Sequence, residues 1–91
     1  MAEPSNVRMV LASKSDVQRG LIGYVSFRLG LVEIDGATLR RTQSGVLTLS
    51  YPSRRDRNGR EHPYLRPRSD EARRQIEHTV FDALGLQPGA S

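Results

Sequence analysis

Apolar and polar residues alternate with period two in two stretches of the chain, and that period is the mark of a strand with one face buried. The clearer stretch is LIGYVSFRLG, where Leu21, Gly23, Val25, Phe27 and Leu29 fall on one side and Ile22, Tyr24, Ser26 and Arg28 on the other. GVLTLSY repeats the pattern, with Leu47, Leu49 and Tyr51 against Val46, Thr48 and Ser50. Pro52 halts it, because proline cannot donate to a strand ladder. Leu31 to Thr42 reads as a further strand broken by a bulge at Asp35-Gly36, where glycine supplies the backbone freedom a bulge needs. Val7 to Ala12 is a short apolar run that predicts the first strand, and SKSDVQRG after it has the Ser, Asp and Gly of a loop. In DRNGR the Asn-Gly pair predicts a type I′ hairpin turn. A short fifth strand is expected around Tyr64 and Leu65, confined to a sheet edge by Pro63 and Pro67.

After Pro67 the pattern changes from strand to helix. In SDEARRQIEHTVFDALG, Ser69 is a cap, Asp70 and Glu71 complement the positive N-terminal dipole, and Gly85 closes the helix. At about 100° per residue Ala72, Ile76, Thr79, Val80, Ala83 and Leu84 share one stripe. Phe81 lies off that stripe, either as a flank of the same core or as an anchor for a second subunit. Residues 1–6 are expected to be disordered and 86–91 to fray, which leaves one domain over 7–85. Strands followed by a helix, joined by turns too short for crossovers, predict an α+β fold: a small antiparallel sheet of four to five strands and one C-terminal α-helix. One helix leaves the second sheet face uncovered, so a homodimer through a sheet edge or face is expected.

Composition narrows the function classes. A chain of 91 residues is one domain, and at that size only about 60 % of the unfolded surface is buried, which makes oligomerisation a natural remedy. There is no cysteine, and His62 and His78 stand sixteen residues apart, so neither a disulfide, a metal site nor any other cofactor is expected. No apolar run approaches the roughly eighteen residues of a membrane span. MAEPSNVR lacks the basic start and apolar stretch of a signal peptide, which predicts a cytoplasmic location away from membranes. Ser53 has no histidine near it and there is no GxxxxGK[ST] loop, so neither catalysis nor a small-molecule substrate is expected.

The charge is concentrated in one place. Between Tyr51 and Ser69, Arg54, Arg55, Arg57, Arg60, Arg66 and Arg68 stand against Asp56 and Glu61, a local +4 equal to the formal charge of the whole chain. Of fourteen basic residues only Lys14 is not arginine, and arginine's planar fork suits bidentate contact with phosphate. One reading is a hairpin tip that presents Arg54, Arg55, Arg57 and Arg60 to a phosphate backbone, with Arg66 and Arg68 extending the patch towards the helix. The other is a solvated loop paired internally by Asp56 and Glu61. Arg40 and Arg41, at a strand end, either join the patch or guard an edge strand. Arg73 and Arg74 are secondary candidates, since Arg73 with Glu77 and Asp70 with Arg74 have the spacing of helical ion pairs. Tyr64 is open to stacking on unpaired bases, whereas Tyr51 belongs with the core.

LSYPSRRDRNG, an apolar strand running into Pro52-Ser53-Arg54-Arg55 with Gly59 four residues on, resembles the signature of the SpoVG family of bacterial septation and sporulation regulators. The ungapped spacing of LIGYVSFRLGLVEIDGATLRRTQSGVLTLS, with Gly45 and Leu47, is similar to that family's strand order, as is the placing of Pro67, Arg73, Ile76 and Val80. The resemblance covers roughly residues 21 to 81. It implies a small α+β homodimer that binds DNA, and in some members RNA, as a regulator of gene expression or of cell septation. Two departures stand out: the family's His-Pro pair before the helix is here Arg66-Pro67, and REHPYL is more polar than the family's strand at that point. An alternative is a protein-interaction module whose exposed apolar face docks a division or regulatory protein, with the arginines serving specificity by charge.

Overall fold

In the computed structural model, which describes residues 3–86, the fold is α+β. β1 (Ser5–Leu11), β2 (Leu21–Leu29), β3 (Val32–Arg41) and β4 (Leu47–Ser50) form one antiparallel sheet in the order β1-β2-β3-β4. A helical turn, α1 (Lys14–Gln18), links β1 to β2. β5 (Ser53–Arg55) and β6 (Glu61–Pro63) form a separate two-stranded ribbon, and α2 (Asp70–Ala83) ends the described chain.

The alternation read from the sequence maps onto the two sheet faces. Val25, Phe27, Ala37 and Leu39 have no exposed surface and lie with Ile34, Leu47 and Leu49 beneath α2. Tyr24, Arg28, Arg40 and Ser50 alternate with them in sequence and are exposed. The bulge falls where glycine allows it: between the pairs Val25↔Ala37 and Phe27↔Ile34, Asp35 and Gly36 together oppose Ser26, and Gly36 takes φ 80°. A second irregularity, between the pairs Leu21↔Arg40 and Gly23↔Leu39, leaves Ile22 without a register partner on β3.

Several boundaries differ from expectation. The segment SKSDVQRG is not simply a loop, because its Ser13 caps α1, the side-chain oxygen accepting from the Asp16 backbone N–H at 3.3 Å. β1 begins at Ser5, inside the stretch expected to be disordered, by pairing Ser5 with Arg28 across a bulge in which Asn6 has φ 50°. Of the tail expected to fray, 87–91 lie outside the described residues, and Leu86 packs on the core with its N–H bonded to the Phe81 carbonyl at 2.8 Å.

α2 is capped as predicted, with Ser69 Oγ accepting from the Ala72 N–H at 3.1 Å. Its buried face is wider than the predicted stripe. Phe81 joins Val80 in the core at 3 % exposure, which removes it as an anchor for a second subunit, while Ala83 on the stripe is exposed. A helix lying on a sheet presents an arc of about 100° or more, and Phe81 is adjacent to its edge. α2 also reaches the rim of the sheet: Glu77 Oε2 accepts the N–H of Leu49 on β4 at 3.2 Å, and Arg73 stands 3.7 Å from the other carboxylate oxygen. A strand-edge donor is thereby closed by a side chain.

Candidate nucleic-acid interface

The ribbon's register follows from its charges. A two-residue type I′ turn on Asn58-Gly59 would set Arg57 opposite Arg60 and Asp56 opposite Glu61, like charge on like, which is destabilising across a strand pair. The chain shifts by one residue instead. Arg55 pairs with Glu61, Arg54 with His62 and Ser53 with Pro63, and the Asp56 N–H donates to the Arg60 carbonyl at 3.0 Å. The loop is then Arg57-Asn58-Gly59, closed by a bond from the Gly59 N–H to the Asp56 carbonyl at 3.1 Å, with Gly59 at φ 80° and Asn58 on the ordinary negative side. This is the type I turn followed by a left-handed residue that three-residue hairpins favour. The second strand lies at Glu61–Pro63 rather than around Tyr64 and Leu65, because pairing is counted outward from the turn.

The ribbon leaves β4 at Ser50 and returns at Tyr64, whose N–H donates to the Pro52 carbonyl at 2.9 Å. Arg54, Arg57, Arg60, Arg66 and Arg68 are exposed, and none forms an ion pair among the described residues. Arg55 alone of the six is tied, with Nη2 3.6 Å from Glu61 Oε1. Five guanidinium groups are thus free of carboxylates, and their planar donors match phosphate oxygens.

Asp56 does not pair with an arginine. Its Oδ1 accepts the backbone N–H groups of Asn58 at 2.8 Å and Arg60 at 3.0 Å, and His62 Nε2 donates to Oδ2 at 2.8 Å. These bonds, the one from His62 foremost, hold its carboxyl below the ordinary value of 3.8. Neither the role of Asp56 nor that of His62 is evident from the sequence on charge alone. The signal that finds them is an Asp at the first position of a turn, where its side chain bonds the backbone two residues on.

The remaining candidates divide. Arg66 and Arg68 line an open cavity of about 640 Å³ with Pro67, Ser69, Asp70 and Arg73, so the start of α2 continues the basic surface. Arg73 lies between Asp70 at 3.9 Å and Glu77 at 3.7 Å, which leaves Arg74 without the Asp70 pairing its spacing suggested. Arg40 and Arg41 guard no edge, because β3 is an inner strand, paired with β2 and β4. Arg41 opposes Leu47 at the start of β4, about 10 Å by strand rise from the end where the ribbon departs, and its Nη1 donates to the Gly45 carbonyl at 3.3 Å. Tyr64 is 68 % exposed at the ribbon's base, free for stacking. Tyr51 packs against the core with a hydroxyl that is buried and, among the described residues, without a partner. Burial, then the Glu77 charge, pushes its pKa up to about 12 against the opposing pull of Arg73.

Fold and surface together define a small α+β protein with an arginine ribbon projecting from its sheet. No protein-family model matches the chain, and no curated protein matches it. Among the described residues no helix is long and apolar enough to cross a membrane.

Proposed function

We propose that this chain is a nucleic-acid-binding regulatory protein, binding the phosphate backbone of DNA, and of RNA, through the β5–β6 ribbon and the start of α2. The observation that carries the reading is the set of five exposed arginines, Arg54, Arg57, Arg60, Arg66 and Arg68, without carboxylate partners on one contiguous segment. The resemblance of residues 21 to 81 to SpoVG supports it, and with it a homodimeric, cytoplasmic regulator of gene expression or septation rather than an enzyme. Two copies would double the basic surface, and most of the affinity would come from counterion release. Phosphate contacts position a protein without reading sequence, so sequence selectivity lies elsewhere.

The test is fluorescence anisotropy with labelled duplex DNA, single-stranded DNA and RNA across a salt series, beside Arg54→Ala/Arg57→Ala. Binding that weakens steeply with salt is expected, and each phosphate contact removed lowers the logarithmic slope by about 0.9 on duplex DNA. A folded protein that binds no probe at low salt refutes the reading. A second reading, docking of a protein partner on the uncovered sheet face, is favoured by the cross-strand pair Val10 and Tyr24, exposed at 69 % and 44 %. Its mark is a partner contact insensitive to salt.

A further inference from the structure

We propose that Asp56, the one acid inside the ribbon's tip, is a positioning residue for phosphate binding, so that replacing it by alanine weakens the binding of a polyanion even though a negative charge is lost. The inference rests on the nucleic-acid reading above and deepens it.

An aspartate among arginines should repel phosphate and cancel part of the basic field. Asp56 keeps that charge but aims it at the turn's own donors. Its carboxylate turns inward and is half-buried between neighbours that are exposed. It is occupied by the Asn58 and Arg60 backbone N–H groups and by His62 Nε2, all within 3.0 Å. Donors from the tip and from the returning arm converge on one group, so a single side chain ties Asn58 to Arg60 and His62. No buried apolar residue lies in the ribbon to do this by packing. The bonds leave Arg57 and Arg60 exposed, one inside the loop and one closing it. A tip ordered before it meets its ligand avoids the conformational entropy a floppy arginine loop would lose on binding. Glu61 is the contrasting acid: it neutralises Arg55 across the strands and bonds no backbone group of the tip.

The two acids therefore make a charge-matched pair for experiment. Asp56→Ala and Glu61→Gln each raise the net charge by one, and simple electrostatics predicts that both tighten binding. With a labelled DNA duplex at fixed salt, Glu61→Gln is expected to tighten binding, by up to about threefold, as Arg55 is released. Asp56→Ala is expected to weaken it by about fivefold as the tip loses its order. Asp56→Asn, which keeps an acceptor for the two backbone N–H groups at the same net charge as the alanine variant, is expected to restore most of the loss. Amide exchange at Asn58 and Arg60 should accelerate in Asp56→Ala and not in Glu61→Gln. Wild-type binding with Asp56→Ala as tight as Glu61→Gln would overturn the positioning role and leave the functional reading intact. So would weakened binding with undisturbed amides. Failure of the wild type and of Glu61→Gln to bind overturns the functional reading, and the positioning role with it.

Discussion

The four-stranded sheet and the two-stranded ribbon lie next to each other in the chain and are held by different forces. In the sheet, side chains from three strands and α2 meet in a core where Val25, Phe27, Leu39 and Val80 are fully buried. In the ribbon all six paired residues are exposed, and what holds it is a short ladder, one ion pair and the three bonds to Asp56. Burial scales with apolar area and tolerates salt, whereas exposed polar contacts are individually weak and serve geometry better than stability. Stability and the proposed phosphate binding should therefore be separable by mutation.

The largest effect should come from the sheet. Phe27→Ala opens a cavity in the fully buried core and is expected to cost about 3–5 kcal/mol in urea unfolding, enough to threaten a domain of this size. Next is the seam between α2 and β4. Glu77→Ala strips the acceptor from the Leu49 N–H and should cost about 1–2 kcal/mol, with Glu77→Gln costing less because it keeps an oxygen there. Tyr51→Phe removes a buried hydroxyl that has no partner among the described residues, so it should be neutral or stabilising by up to about 1 kcal/mol. Its pH signature is separate. The folded pKa of about 12 stands above the ordinary 10.0, so the contribution is complete below pH 10 and declines as pH rises towards 12, and Tyr51→Phe should lack that decline.

The ribbon should show the reverse profile. Arg54→Ala is expected to move stability by no more than about 0.5 kcal/mol while lowering the salt slope of DNA binding by about 0.9. The smallest effect is that of acid on the tip. Because the Asp56 carboxyl is held below 3.8, its contribution is complete above that value and is lost as pH falls through the depressed one. Protection of the Asn58 and Arg60 amides, corrected for intrinsic exchange, should fall in that range while the core amides of Val25 and Leu39 stay protected.

The same contrast explains what could be read from the sequence. β2 and β4 declare themselves because burial on one face imposes a period of two, and the Asp35-Gly36 bulge because glycine marks it. α2 was legible from its caps. Phe81 was not, since a stripe drawn at helical period ignores the breadth of the sheet beneath it. In the ribbon no residue is buried, so hydrophobic pattern says nothing; the aromatic and apolar pair Tyr64-Leu65 drew the predicted strand past Glu61–Pro63. There register depends on which charges would face each other, a rule that operates only once a turn is specified. The arginines were legible as a group, but their division into Arg55, tied, and five others, free, required the pairing. Nothing in the sequence marks Glu77 as a cap for β4, because its partner is a backbone group twenty-eight residues away.

That cap has a consequence for how many chains can share one sheet. With the Leu49 N–H taken by Glu77, an added strand finds one donor fewer on the four-residue border β4, whereas β1, the opposite border, runs for seven residues. A sheet open on both borders is a polymer's monomer, each copy recruiting the next. One whose two borders differ in free donors favours one of them: when two such borders meet, only the poorer ones are left over. If copies of this chain join edge to edge, that asymmetry favours a pair over a continuing ribbon.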